Sequence, residues 1–179
     1  MSFSIIHLSD IHIKNESDMI LTRQNELARA CTSSLTSNGV VVIVVSGDIA
    51  FSGDPKQYEL AKKLLTELVT YISEQKQSDV RIVCAPGNHD CALLPESSTR
   101  KTLIDSVQPS KVDKEYYNQV SSVQANYRHF AESIGVNQNS ILPQIEVSCD
   151  GNSFLFLLAN TAWMSVLNET PGKLIVPYL

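Results

Sequence analysis

Residues 40–48 read Val-Val-Val-Ile-Val-Val-Ser-Gly-Asp. Six consecutive β-branched side chains leave no polar face, so the run reads as a strand covered on both sides, as in a parallel sheet. It ends abruptly in a small residue, a glycine and a carboxylate. Two other stretches repeat this plan. Upstream, residues 4–8 (Ser-Ile-Ile-His-Leu) form a short apolar strand followed by Ser9-Asp10-Ile11-His12. Downstream, residues 80–85 (Val-Arg-Ile-Val-Cys-Ala) form a strand that Pro86-Gly87 closes and Asn88-His89-Asp90 follows.

Helical patterns separate the strands. Over residues 19–37, Ile20, Leu27, Ala30, Cys31 and Leu35 recur at helical spacing, with Ser17-Asp18 as the cap and Asn38-Gly39 as the stop. Asp54 and Pro55 open a second helix with an apolar face of Tyr58, Ala61, Leu64, Leu65, Leu68, Val69 and Ile72. The order strand, helix, strand, helix, strand implies right-handed crossovers and a parallel sheet. Further on, residues 97–108 read as a short helix and residues 114–133 as a longer one. Residues 141–149 and 153–159 read as strands around an Asp150-Gly151-Asn152 hairpin turn. No linker is visible, so residues 1–179 are expected to form one α/β domain.

Composition narrows the function classes. The 179 residues are 43% apolar and 18% charged, ordinary for a domain with its own core. With 14 Lys and Arg against 19 Asp and Glu, the net charge of −5 weighs against broad electrostatic binding of nucleic acid. There is no basic leader and no apolar run of membrane-spanning length, so a cytoplasmic protein with no membrane partner is expected. Cys31, Cys84, Cys91 and Cys149 fit neither a zinc spacing nor a compact disulfide framework.

The polar residues cluster where the strands end. In open α/β sheets, ligands bind outside the carboxyl ends of the strands. Three parallel strands would bring Asp10 and His12, Asp48, and Asn88 and His89 to one edge. Carboxylate, imidazole and amide oxygen suit Mn²⁺, Fe²⁺ or Zn²⁺. Asp10 and His12 would point the same way from extended backbone. Asp48, with two oxygens, could bridge two ions, and two ions about 3.5–4 Å apart would clamp a phosphoryl group and activate a water. The competing structural explanations are strongest elsewhere. His7 reads as a sheet histidine, His129 as a helix-surface one, Asp54 as a helix cap, Cys91 as a packed thiol, and Tyr116, Tyr117, Tyr127 and Phe130 as helix core.

Taken in order, HLSDIH at residues 7–12, VVSGDIAFSGD at 44–54 and APGNHD at 85–90 resemble the first three motifs of the calcineurin-like metallophosphoesterases. The intervals, 36 residues from His12 to Asp48 and 41 from Asp48 to His89, strengthen the likeness. It is firm over residues 4–91 and weaker to about residue 163, where FLFLLANTAW resembles the family's mid-domain strand. The resemblance implies an αββα sandwich and a dinuclear metal-dependent phosphodiesterase or phosphatase. Asp10 and His12 would bind the first ion, Asp48 both, and Asn88 the second. His89, oriented by Asp90, would stabilise the transferring phosphoryl group or protonate the leaving oxygen. The nucleophile would be a metal-bound hydroxide.

The chain departs from the family pattern in its second half, where a further histidine and a Gly-His-x-His pair are usual. Its four histidines are His7, His12, His89 and His129, so about three ligands are missing. It ends at Pro177-Tyr178-Leu179. A sandwich truncated after its first half is therefore expected, with an open apolar face that drives self-association or is completed by additional domains. Where the protein phosphatases carry Asp-Arg-Gly, this chain reads Ala50-Phe51-Ser52-Gly53, which favours a phosphodiester substrate, a nucleotide or nucleic acid. The alternative function is a catalytically incomplete scaffold or regulatory domain of a larger protein.

Overall fold

A computed structural model of the chain describes residues 1–108, 111–138, 140–169, 172 and 174–176. The last three residues, Pro177, Tyr178 and Leu179, on which the expected truncation partly rested, lie outside the described residues.

Three strands, β1 (Phe3–Leu8), β2 (Val40–Ser46) and β3 (Asp79–Ala85), form one sheet in the order β1-β2-β3. All pairings are parallel, with Ile6 opposite Ile43 and Ile43 opposite Ile82. The central strand is the β-branched run, and Val41, Val42, Ile43 and Val45 are all but inaccessible. The crossover from β2 to β3 is the helix α3 (Pro55–Lys76). Pro55 stands at its first position, and Asp54 caps it by accepting the Lys56 N–H at 2.8 Å. Leu64, Leu65, Leu68 and Ile72 of α3 join the strand residues in the main core.

Two of the expected helices are broken, each for a local reason. The pattern over residues 19–37 resolves into α1 (Met19–Thr22) and α2 (Gln24–Ser33), separated at Arg23. Asp18 does not cap α1 with its side chain, because its carboxylate takes the N–H groups of Lys14 and Asn15 instead. The second broken helix begins after α4 (Ser98–Asp105). Residues 114–133 form α5 (Lys114–Val120), a 3₁₀ turn (Ser121–Gln124) and α6 (Ala125–Ser133). Carbonyls that would continue the helix are taken from outside it. Val120 O accepts Arg100 Nε at 2.7 Å, and Val123 O accepts the Ala92 N–H at 2.8 Å.

A smaller core gathers Val112, Tyr117, Val120, Ile141, Trp163 and Met164. Arg100 crosses it and also donates to the carbonyls of Ser165 at 2.8 Å and Trp163 at 3.0 Å. This fastens a segment with no helix or strand pattern to the rest of the fold. β4 (Gln144–Cys149) and β5 (Asn152–Leu157) form an antiparallel hairpin. Phe154 of this hairpin stacks on Phe3 with ring centroids 3.8 Å apart. Ile5 on β1 and Leu155 and Leu157 on β5 are exposed. No helix among the described residues is long and apolar enough to cross a membrane.

The four cysteines are free, and Cys84, Cys91 and Cys149 are buried. Burial pushes the thiols of Cys84 and Cys91 up to about 12. Thiols so held stay neutral, and only the thiolate reacts. Ellman's reagent should therefore label at most the half-buried Cys31 quickly in the folded chain, and all four cysteines after denaturation. Fast labelling of Cys84 or Cys91 in the native state would contradict this packing.

Candidate metal centre

The three strand ends meet through backbone contacts first. Beyond β1 and β2 the chain continues to pair, the His12 N–H donating to the Asp48 carbonyl at 2.8 Å and the Ile13 N–H to the Ile49 carbonyl at 3.0 Å. The turns after β2 and β3 touch at two glycines. A Cβ on Gly87 would lie 2.1 Å from Asp48 Oδ1, so no other residue fits there without displacing that carboxylate.

Asp10, His12 and Asp48 have φ of 54°, 51° and 53°, in the left-handed region. The convergence of Asp10 and His12 therefore comes from this bent backbone. The expectation that they project from one extended strand is corrected. Aspartate and histidine are among the non-glycine residues that adopt this conformation most readily, and Asn38, Gln77 and Asp150 share it away from the cluster.

Side chains of His12, Asp48 and His89 each present a donor atom, all within 4.8 Å of one another. His12 Nε2 stands 3.9 Å from both Asp10 Oδ1 and Asp48 Oδ2. These gaps are too long for hydrogen bonds. They match two donors of one ion, since donors about 2.1 Å from a metal stand roughly 3–4 Å apart. His12 Nδ1 is buried with no hydrogen-bond partner. The two carboxylates and two imidazoles gathered here are a donor set that fits a divalent ion of intermediate hardness. Asn88 is exposed, opens the short 3₁₀ turn and adjoins His89.

His89 is held at two points. Its backbone N–H donates to Asp48 Oδ1 at 2.9 Å, and its ring Nδ1 lies 2.7 Å from the Phe51 carbonyl oxygen. A carbonyl can only accept, so Nδ1 carries the proton and Nε2 is left for a ligand. The ring meets His12 edge to face at 4.4 Å between centroids. Phe51 lies 5.4 Å from His89, with Lys14 Nζ 4.1 Å above its ring.

Asp90 has a different place from the one expected. It does not orient His89, because its carboxylate is fully used elsewhere. Oδ2 accepts the N–H groups of Gly87 at 2.9 Å and Ile49 at 3.2 Å, while Oδ1 accepts the Ala50 N–H and the Tyr58 hydroxyl, each at 3.0 Å. Asp90 is fully buried. Burial pushes its carboxyl up, and the donors from Gly87, Ala50, Ile49 and Tyr58 pull it back. Tyr58 is raised well above the ordinary phenol, first by burial and then by Asp90.

The remaining candidates fall outside the cluster. His7 Nε2 pairs with Ser46 Oγ at 2.6 Å on the strands, and His129 is exposed on α6. Asp54 caps α3. Cys91 is packed between the Gly87 and Ala162 carbonyls and the Gln124 amide. The sequence reading missed the Phe51 carbonyl, which no side-chain pattern reveals. It also took Tyr58 only as part of an apolar helix face.

Asp90→Ala would leave three backbone donors without an acceptor in the interior, so the variant should lose about 3–5 kcal/mol of stability. Urea unfolding followed by circular dichroism measures this, and an unchanged midpoint would remove Asp90 from its structural place.

A family model described as calcineurin-like phosphoesterase matches residues 3–169. No curated protein matches the chain. The matched span holds all three strand ends and every residue of the cluster. With that span and these strand-end loops, the chain belongs to the calcineurin-like phosphoesterases, a family of metal-dependent phosphoester hydrolases.

Proposed function

We propose that the chain hydrolyses a phosphodiester, a nucleotide or nucleic acid, at the strand-end cluster. The observation that carries this reading is the carboxylate and imidazole group of His12, Asp48 and His89 within 4.8 Å. Asp10 and His12 would hold a first ion, Asp48 would serve both, and Asn88 would serve the second. Divalent ions, Mn²⁺, Fe²⁺ or Zn²⁺, supply Lewis acidity and lower the pKa of a water at such a site. The chain's own residues then position and protonate. With Nδ1–H bonded to Phe51 O, His89 Nε2 faces the phosphoryl group, and in the doubly protonated imidazolium form it donates to the phosphoryl oxygens or to the leaving oxygen.

The rim suits a nucleotide-type ester. Phe51 beside the two histidines, with the Lys14 cation over its ring, offers an aromatic and cationic surface next to the reacting centre. A nucleotide-like ester group carries matching features. Free thiols at all four cysteines fit a reducing, cytoplasmic setting. A second reading, a metal-binding scaffold without turnover, is favoured by one observation. Two of the four histidines, His7 and His129, lie away from the cluster.

Mn²⁺-dependent hydrolysis of bis-p-nitrophenyl phosphate separates the two readings. The enzyme reading expects turnover that EDTA abolishes and that His89→Ala lowers by roughly a hundredfold or more. Binding of Mn²⁺ without turnover by the intact chain supports the scaffold instead.

A further inference from the structure

We propose that Gln57, in the first turn of α3, is a positioning residue that sets the aim and tautomer of His89. The inference rests on the reading of His89 as the group that faces the substrate. Gln57 is only 9% exposed, an unusual burial for a primary amide. Its Oε1 accepts the N–H groups of Phe51 at 3.1 Å and Ser52 at 3.0 Å. Its Nε2 donates to Ser52 Oγ at 3.1 Å.

One peptide unit joins these contacts to the candidate site. The Ser52 N–H and the Phe51 carbonyl belong to the same planar amide and point in opposite directions. Gln57 holds the N–H end, and His89 Nδ1 meets the carbonyl end at 2.7 Å. Fixing one end fixes the other. A backbone carbonyl orients an imidazole only as well as its own peptide plane is held, and this plane lies in a loop between β2 and α3. The Phe51 N–H is shared with the Ile13 carbonyl at 3.1 Å, which steadies the preceding peptide but not the one that carries the acceptor. The anchor is itself fixed, since Asp54 and Pro55 set the start of α3 and hence the place of Gln57. Without Gln57, the 51–52 peptide is free to rotate. His89 then loses its acceptor, and both ring tautomers become populated.

The test uses the full chain with ¹⁵N-labelled histidine and Mn²⁺ assays on bis-p-nitrophenyl phosphate. Native His89, recorded without metal at one fixed pH, should show the Nδ1–H tautomer. Gln57→Leu removes the acceptor and should give ring signals averaged between the two tautomers. Gln57→Asn, one methylene too short to reach the loop, should do the same and serves if the leucine variant does not fold. Gln57→Glu keeps the acceptor oxygens and should keep the native tautomer. In the assay, kcat should fall roughly ten- to hundredfold in the leucine and asparagine variants, with KM changed less than about twofold. The glutamate variant should recover most of the rate. Folded leucine and asparagine variants with the native His89 spectrum would overturn the proposal. So would a rate loss that the glutamate variant shares in full. If the native chain does not hydrolyse the ester, the functional reading fails, while the histidine spectra still decide the place of Gln57.

Discussion

The buried carboxylate of Asp90 holds together the two loops from which the site is built. It takes N–H groups from the turn after β3 and from the turn after β2, and a hydroxyl from α3. A charge in an apolar interior is tolerated only when its lone pairs are filled, and here the filling donors come from separate pieces of chain. The carboxylate therefore acts as a clamp. The short distance between Asp48 and His89, and the close approach that demands glycine at position 87, both follow from it. The clamp lies beneath the chemistry, and the surface residues above it need supply no cohesion of their own.

Backbone geometry does the rest of the positioning. His12 is tied to the Asp48 carbonyl, His89 to the Asp48 side chain and the Phe51 carbonyl. The helices contribute at a distance. The interruption between α5 and α6 frees the Val123 carbonyl for Ala92, and Asn126 of α6 donates to the Gly53 carbonyl at 2.8 Å. An uninterrupted helix would have kept the Val123 carbonyl for itself. The two loops are thus braced from below by Asp90 and from the side by the 120–126 segment.

The parallel sheet was readable because Val40–Ser46 can be little else, and the crossover helix because Pro55 and Asp54 mark its start. His12, Asp48 and His89 were readable because ligand-type side chains followed each strand. What escaped was whatever the backbone decides. A left-handed φ at Asp10, His12 and Asp48 leaves no trace in residue type, since aspartate and histidine occur widely in ordinary turns. The assignment of Asp90 to His89 followed adjacency along the chain, while burial sends its side chain inward to partners some 40 positions away. The helix breaks escaped for a similar reason. Periodicity reports which face is apolar and says nothing of carbonyls claimed by Arg100 or Ala92.

The left-handed backbone at the three ligand-type positions has an evolutionary corollary. Asparagine and glycine tolerate that conformation, whereas valine, isoleucine and threonine do not. A lineage released from selection for chemistry would still be under selection for this loop shape. Its first accepted replacements at Asp10 and Asp48 would be asparagine or glycine, with Asp90 retained for folding. Decay of such a site would leave most of the motif in place, and the loss would be written in the charge of two side chains.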